Sequence, residues 1–180
     1  MYHYESISDA QVLIPRFDDN GNMYTIIVRK SSQQKSEYRP TRLLDRQLRK
    51  NGSSLRGAKD AASFIMGTAS MHPFLIQTYP DLHVWFPSES PRNETCTYFC
   101  LHQISHYDAY LGSEAHTIVY LHGNYAVVIP VAKSKFEGRF REAHCFRSKA
   151  YDHRTFSFEL SPLGKKQILQ CAEMRANYLV

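Results

Sequence analysis

An α+β fold is predicted: mostly antiparallel β-sheet, with a basic helix near residues 41–50 and helices toward the C-terminus. Three observations carry this. Apolar stretches flank the turn sequence Asp18-Asp19-Asn20-Gly21, a stretch free of helix breakers follows Pro40, and apolar residues recur at helical spacing after Ser134.

Residues 12–15 and 23–28 are apolar and largely β-branched, so the turn between them makes a hairpin. Pro40 suits the first turn of a helix, and no breaker follows before Asn51-Gly52. Residues 52–57 read as a loop and residues 58–64 as a short helix. Residues 73–77 and 82–86 pair as strands across Tyr79-Pro80-Asp81, and residues 86–92 form a loop. A strand over residues 96–104 follows, and residues 117–121 and 125–130 make a hairpin turning at His122-Gly123-Asn124. Ser134 is the expected N-cap of a helix, with Glu137 three residues on as in a capping box. Ser161 and Pro162 open a last helix.

The 180 residues predict a single domain, residues 1–180, with a substantial core. A hydrophobic content of 43% with 22 Tyr and Phe residues besides Trp85 excludes a disordered chain. No apolar run approaches a membrane span. The N-terminal Met1-Tyr2-His3-Tyr4-Glu5-Ser6 lacks the basic and apolar regions of a signal peptide, so a cytoplasmic protein is expected. Its four cysteines then read as reduced thiols.

Charge is distributed unevenly. Ten of the 22 basic residues lie in residues 29–59 against two acids, Glu37 and Asp45, which gives +8 there. Residues 60–132 hold one basic residue, Arg92, against six acids, giving −5. A concentrated positive surface is what binds a polyanion. At about 100° per residue, Arg42, Arg46, Arg49 and Lys50 fall within an arc of about 100°. Leu44 and Leu48 lie opposite, with Leu43 at the border. Such a helix buries its leucines and offers four exposed cations as one stripe. A solvated face balanced by acids at i+4 is the plainer reading, but only Asp45 is placed to pair, with Arg49. A second basic cluster, residues 133–154, is diluted by Glu137, Glu142 and Asp152.

Gly52-Ser53-Ser54-Leu55-Arg56-Gly57-Ala58-Lys59 approaches a phosphate-binding loop and fails on detail, since Ala58 separates Gly57 from Lys59 and Asp60 follows. Its small residues would present backbone N–H groups to phosphates, with Arg56 and Lys59 beside them. Cys96-x3-Cys100-x-His102-x3-His106 lacks the second pair of a zinc site; core cysteines and surface histidines account for it. Asp18, Asp19, Asp81, Glu89 and Glu94 fit turn chemistry. No catalytic centre, metal site or cofactor is read, and a non-enzymatic protein is expected.

In order and spacing, Leu44-Asp45-Arg46, the Gly52 to Lys59 element, Phe86-Pro87 before Ser90-Pro91, and Cys96-x-Tyr98 resemble the ComK family of competence transcription factors. The likeness continues through the hairpin at Gly123, Ser134-x-Phe136, and Phe156-x-Phe158 before Pro162. The resemblance implies an activator of competence (DNA-uptake) genes. Such proteins bind paired A/T-rich boxes of double-stranded DNA, largely through the minor groove, as dimers or higher oligomers. It carries DNA contact onto Arg46, Ser53, Ser54, Arg56 and Lys59. Together with the helix stripe, the candidate DNA-binding set is Arg39, Arg42, Arg46, Arg49, Lys50, Ser53, Ser54, Arg56 and Lys59. The chain departs from the family pattern at Leu55 (usually aromatic), Ala58 (usually Arg) and Met71-His72-Pro73 (usually Lys-Pro-Pro). Residues 156–180, where Phe156, Phe158 and Leu160 alternate as in an extended peptide, resemble a tail that docks partners, a proteolytic adaptor and RNA polymerase among them. Two rivals stay open: a nuclease-like enzyme using the same basic surface, and a module that binds acidic proteins.

Overall fold

The computed structural model describes residues 6–68, 72–78 and 81–158. Contacts divide the chain between Arg147 and Ser148. The unit ending at Arg147 is described below; past it, only the course of one helix is followed.

In chain order the elements are β1 (Val12–Phe17), β2 (Met23–Val28), β3 (Gln33–Ser36), α1 (Pro40–Lys50), α2 (Leu55–Met66), β4 (Phe74–Thr78), β5 (Asp81–Pro87) and β6 (Tyr98–Cys100). A 3-10 turn (Leu101–Gln103) leads to β7 (Ile104–Tyr110), β8 (Ser113–Leu121), β9 (Ala126–Ile129) and α3 (Lys133–Phe158). Six strands form one antiparallel sheet in the order β3-β2-β1-β6-β5-β4, and β7-β8-β9 form a second. The α+β class expected from sequence is therefore the observed one.

Alternation along the strands gives the large sheet two apolar faces. Leu13, Ile27, Phe74, Ile76, Trp85, Tyr98 and Cys100 join Leu43, Leu44 and Leu48 of α1 in one buried cluster. The residues between them in register, Phe86 and Phe99, are paired neighbours on the other face, stacked at 5.9 Å. Phe136 of α3 meets both at 5.9 and 5.5 Å, and Tyr107 of β7 lies 5.1 Å from Phe136. Helix α1 thus covers one face, while α3 and the small sheet cover the other. Each such side chain taken out of water contributes about 1.5–3 kcal/mol.

The β1–β2 hairpin closes as expected. The Asp18 carboxylate accepts the Asn20 and Asn22 amides at 3.0 and 2.7 Å, and Gly21 takes a φ of +77°. The β8–β9 hairpin turns at the expected His122-Gly123-Asn124. Gly123 there has φ +120°, and a Cβ would lie 2.7 Å from the Lys30 carbonyl oxygen. Only glycine fits that approach.

Several boundaries differ from the sequence reading. β3 was not expected, because Gln33-Gln34-Lys35-Ser36 carries no apolar signal; it is an edge strand, where a lysine suits the solvent. The strand expected over residues 96–104 breaks after Cys100. The Leu101–Gln103 turn carries the chain from one sheet to the other, pinned by Gln11, whose amide nitrogen donates to Gln103 Oε1 at 2.9 Å and to the His122 carbonyl at 2.6 Å. α3 begins at Lys133, with the Ala132 carbonyl accepting from Lys135 and Phe136, so Ser134 lies inside the first turn and is not its N-cap. α3 also continues through Phe158, so Phe156 and Phe158 are helical and not extended. Tyr79, Pro80, Met71, Leu160, the helix expected from Pro162 and most of the expected docking tail lie outside the described residues.

Phe136 is fully buried, at 0% exposure. Phe136→Ala should therefore lower unfolding free energy by about 3–5 kcal/mol, read as a lower denaturant midpoint in the emission of Trp85, the single tryptophan.

Candidate nucleic-acid interface

All nine candidate residues fall on the segment that enters α1, on α1 itself, on the α1–α2 turn and on the first turns of α2. Pro40 occupies the first helical position, giving up an N–H that would lack a helical partner anyway. Leu43, Leu44, Gln47 and Leu48 are buried. Leu43 is thus inside and not at the border. Arg39, Arg42, Arg49 and Lys50 are exposed.

Arg46 is half-buried, which corrects the expectation of an open side chain. Tyr38 is the cause. The guanidinium carbons of Arg42 and Arg46 lie 4.6 and 4.5 Å from its ring centroid. Each such contact contributes about 0.5–1 kcal/mol at a surface and holds a long side chain in one place. Tyr38 is itself anchored by the Thr25 hydroxyl, which donates to its carbonyl at 2.6 Å. The sequence reading missed this residue. Its signal was an aromatic ring immediately ahead of a basic helix.

The turn is built by two capping motifs back to back. Gly52, at φ +77°, donates its N–H to the Arg49 carbonyl at 3.1 Å, and Ser53 donates to the Leu48 carbonyl at 2.9 Å. This is the Schellman pattern that ends a helix on a left-handed glycine. Ser54 then caps α2, its Oγ accepting the Gly57 N–H at 3.0 Å. So α2 starts at Leu55, not near residue 58 as expected, because Ser54 ends the loop early. A Cβ on Gly57 would stand 3.3 Å from Ser54 Oγ.

Asp45 joins the two helices. Its Oδ2 accepts Arg49 Nε at 2.6 Å, and its Oδ1 accepts the Leu55 N–H at 2.8 Å. The Leu55 amide first, and Arg49 second, hold its carboxyl below the ordinary 3.8. A carboxylate so depressed stabilises the fold at pH above its unfolded value. That contribution is lost as pH falls through the lower folded value.

These bonds account for the N–H groups of Gly52, Ser53, Leu55 and Gly57, so the turn does not offer them as a phosphate cradle. What it presents outward is side chains: the exposed Ser53, the O–H of Ser54, Arg56 and the half-buried Lys59. Arg56 is 93% exposed and only loosely paired with Asp60 at 4.0 Å. Exposed pairs at that distance hold little energy.

Elsewhere the charges are locally spent. Lys133 donates to Asp108 at 2.7 Å and Arg139 to Glu142 at 3.2 Å, which neutralises part of the second basic cluster. Glu89 accepts from Thr95 at 2.7 Å and from Asn93, a loop-closing role. The run from Cys96 to His106 is not gathered at one point. Cys96 donates to the Glu89 carbonyl at 3.5 Å, and His106 stacks on Tyr120 at 4.2 Å. Burial pushes the Cys96 thiol up to about 11, so it stays protonated and a poor nucleophile at neutral pH.

No curated protein and no solved structure matches this chain. A family model described as ComK protein matches residues 3–155, a span that holds every element from β1 through most of α3. The match covers both sheets, the α1–α2 hairpin with its cations, and the crossing between the sheets. This chain therefore belongs to the ComK family of competence transcription factors.

Proposed function

We propose that this protein is a non-enzymatic, DNA-binding activator of competence genes that docks A/T-rich promoter boxes through its α1–α2 hairpin. The observation that carries the reading is the cation set Arg39, Arg42, Arg46, Arg49, Lys50, Arg56 and Lys59 on one helical hairpin, two of the arginines pre-stacked on Tyr38. Arginine favours a narrow A/T minor groove because its negative potential is enhanced, and cations on phosphates supply most of the affinity. Ser53 and Ser54 add short hydrogen-bonding groups of the kind that fix register on the DNA backbone. Paired boxes imply a homodimer or a higher oligomer on DNA. Activation implies contact with RNA polymerase, and we assign that contact, with docking of a proteolytic adaptor, to residues 156–180. The protein works in the cytoplasm, where its DNA is.

Binding to an A/T-rich duplex should be strongly salt-dependent. With about six phosphates neutralised per protomer, log K falls against log salt with a slope of about −5. Arg56→Ala should lower the magnitude of that slope by about 1 and shift stability by no more than about 0.5 kcal/mol. A flat salt dependence, or cleavage of the duplex on adding a divalent metal, would sink the proposal.

Asp45→Ala removes one negative charge, raising the net charge by one, but also removes both acceptor bonds at the junction. Stability should drop by about 1–2 kcal/mol, and DNA affinity should fall despite the gain in charge. Tighter binding would mean that charge, and not hairpin geometry, limits the complex.

Deleting residues 156–180 should leave duplex binding by gel shift within about twofold and abolish activation in a reconstituted transcription assay. Loss of DNA binding would return the tail to the folded core.

A further inference from the structure

The switch from one sheet to the other brings His83 of β5 beside Cys100 and His102, which lie more than fifteen residues further along the chain. Cys100 stands opposite Trp85 in the β5–β6 ladder, so His83, two residues before Trp85, emerges on the same face of the sheet as Cys100. The 3-10 turn then folds His102 back toward both. Sγ of Cys100 lies 3.3 Å from Nδ1 of His102, and the rings of His83 and His102 are 4.3 Å apart between centroids. One nitrogen of each histidine and the sulfur all lie within 4.8 Å of one another. Among the described residues this is the one cluster of three or more histidine, cysteine or acidic side chains with that convergence.

We propose that His83, Cys100 and His102 bind one Zn²⁺-class ion through two imidazoles and a thiolate, leaving a fourth position for water. Zn–S and Zn–N bonds of about 2.3 and 2.0–2.1 Å in a tetrahedron place sulfur and nitrogen about 3.5 Å apart. The Cys100–His102 pair already stands near that spacing. Soft sulfur with imidazole nitrogen selects this class of ion over calcium or magnesium. The ligands come from β5, the end of β6 and the turn after it, so the ion fastens the crossing between the sheets. Entry is from the His102 side, since His102 is exposed while Cys100 is buried. The amide nitrogen of Gln103 lies 2.9 Å from Nε2 of His102, and Gln103 is held in turn by Gln11. Binding the ion through Nδ1 puts the ring proton on Nε2, so the Gln103 side-chain amide must turn its oxygen toward that N–H to serve as the outer-shell acceptor. Cys100 also belongs to the core cluster beneath α1, so the ion would brace the platform of the basic helix. The sequence run from Cys96 to His106 contained two of the three ligands. The third, His83, came only from strand pairing.

The test titrates the full-length purified protein with Zn²⁺ alone, by calorimetry and by thermal shift, and with Co²⁺ as a spectroscopic probe. One ion per chain is expected, together with a raised Tm, a thiolate-to-cobalt charge-transfer band and the strong visible bands of a tetrahedral site. His102→Ala and His83→Ala should each weaken zinc binding by more than the roughly 10–100-fold typical of an outer-shell change. His106→Ala, also in the sequence run, should bind like the parent. Cys100→Ser should abolish the charge-transfer band; should it fail to fold, the two histidine variants decide. Absence of saturable binding, a cobalt spectrum without the thiolate band, or full affinity in His83→Ala or His102→Ala overturns the proposal.

Discussion

Leu43, Leu44 and Leu48 seat α1 in the cluster formed by Leu13, Ile27, Phe74, Ile76 and Trp85, and that contact fixes the direction in which the helix points its cations. The rotation of the helix is not free once three leucines are committed to one side. Arg42, Arg49 and Lys50 then have nowhere to go but water. The sheet beneath is held from its other side by Phe86, Phe99 and Phe136. The basic surface is thus an indirect product of packing on both faces of one sheet. A void under α1 would tilt the stripe without touching a single arginine.

The α1–α2 junction is made rigid by local bonds that use a single charge pair. Gly52 ends one helix, Ser54 starts the next, and Asp45 binds across the gap. The only acid within α1 is spent on this task, with one oxygen on Arg49 and one on a backbone amide. Tyr38 then holds two arginines through contacts with its ring face. Ordering these side chains before binding reduces the entropy lost when a partner arrives.

How much of this was legible in the sequence depends on the kind of signal each element carries. The α1 face and the two hairpins were legible because periodicity, a proline and a glycine each report a local constraint. β3 was not, since a polar edge strand is specified by its neighbour β2 and not by its own residues. The break after Cys100 was hidden because the apolar run from Tyr98 to Leu101 continues straight through it, while the turn is pinned by a hydrogen bond from Gln11, far earlier in the chain. In the candidate interface, the identity of the cations was plain, but the state of Arg46 was not. An angular count places a side chain on a helix face and says nothing of a ring in the preceding loop. The backbone of the Gly52 to Gly57 element misled for a similar reason: small residues suggest open amides, and only the capping bonds reveal that those of Gly52, Ser53, Leu55 and Gly57 are taken.

Two departures from the family pattern gain a physical meaning from where they sit. Leu55 and Ala58 are half-buried against the core cluster, alongside Tyr38. They line the inner side of α2, whereas Arg56 stands almost wholly in solvent between them. An aliphatic Leu55 and a small Ala58 therefore act first on how closely α2 lies against α1 and the sheet, and only through that on the surface offered to a partner. The segment that follows, residues 60–132, carries a net −5 and supplies both sheets from β4 onward. Under the proposed DNA-binding role, phosphates would be disfavoured there while the hairpin draws them, so the charge partition would orient an approaching duplex as well as attract it. Within that orientation, recognition would fall to the spacing of the arginines along α1, which the leucines set.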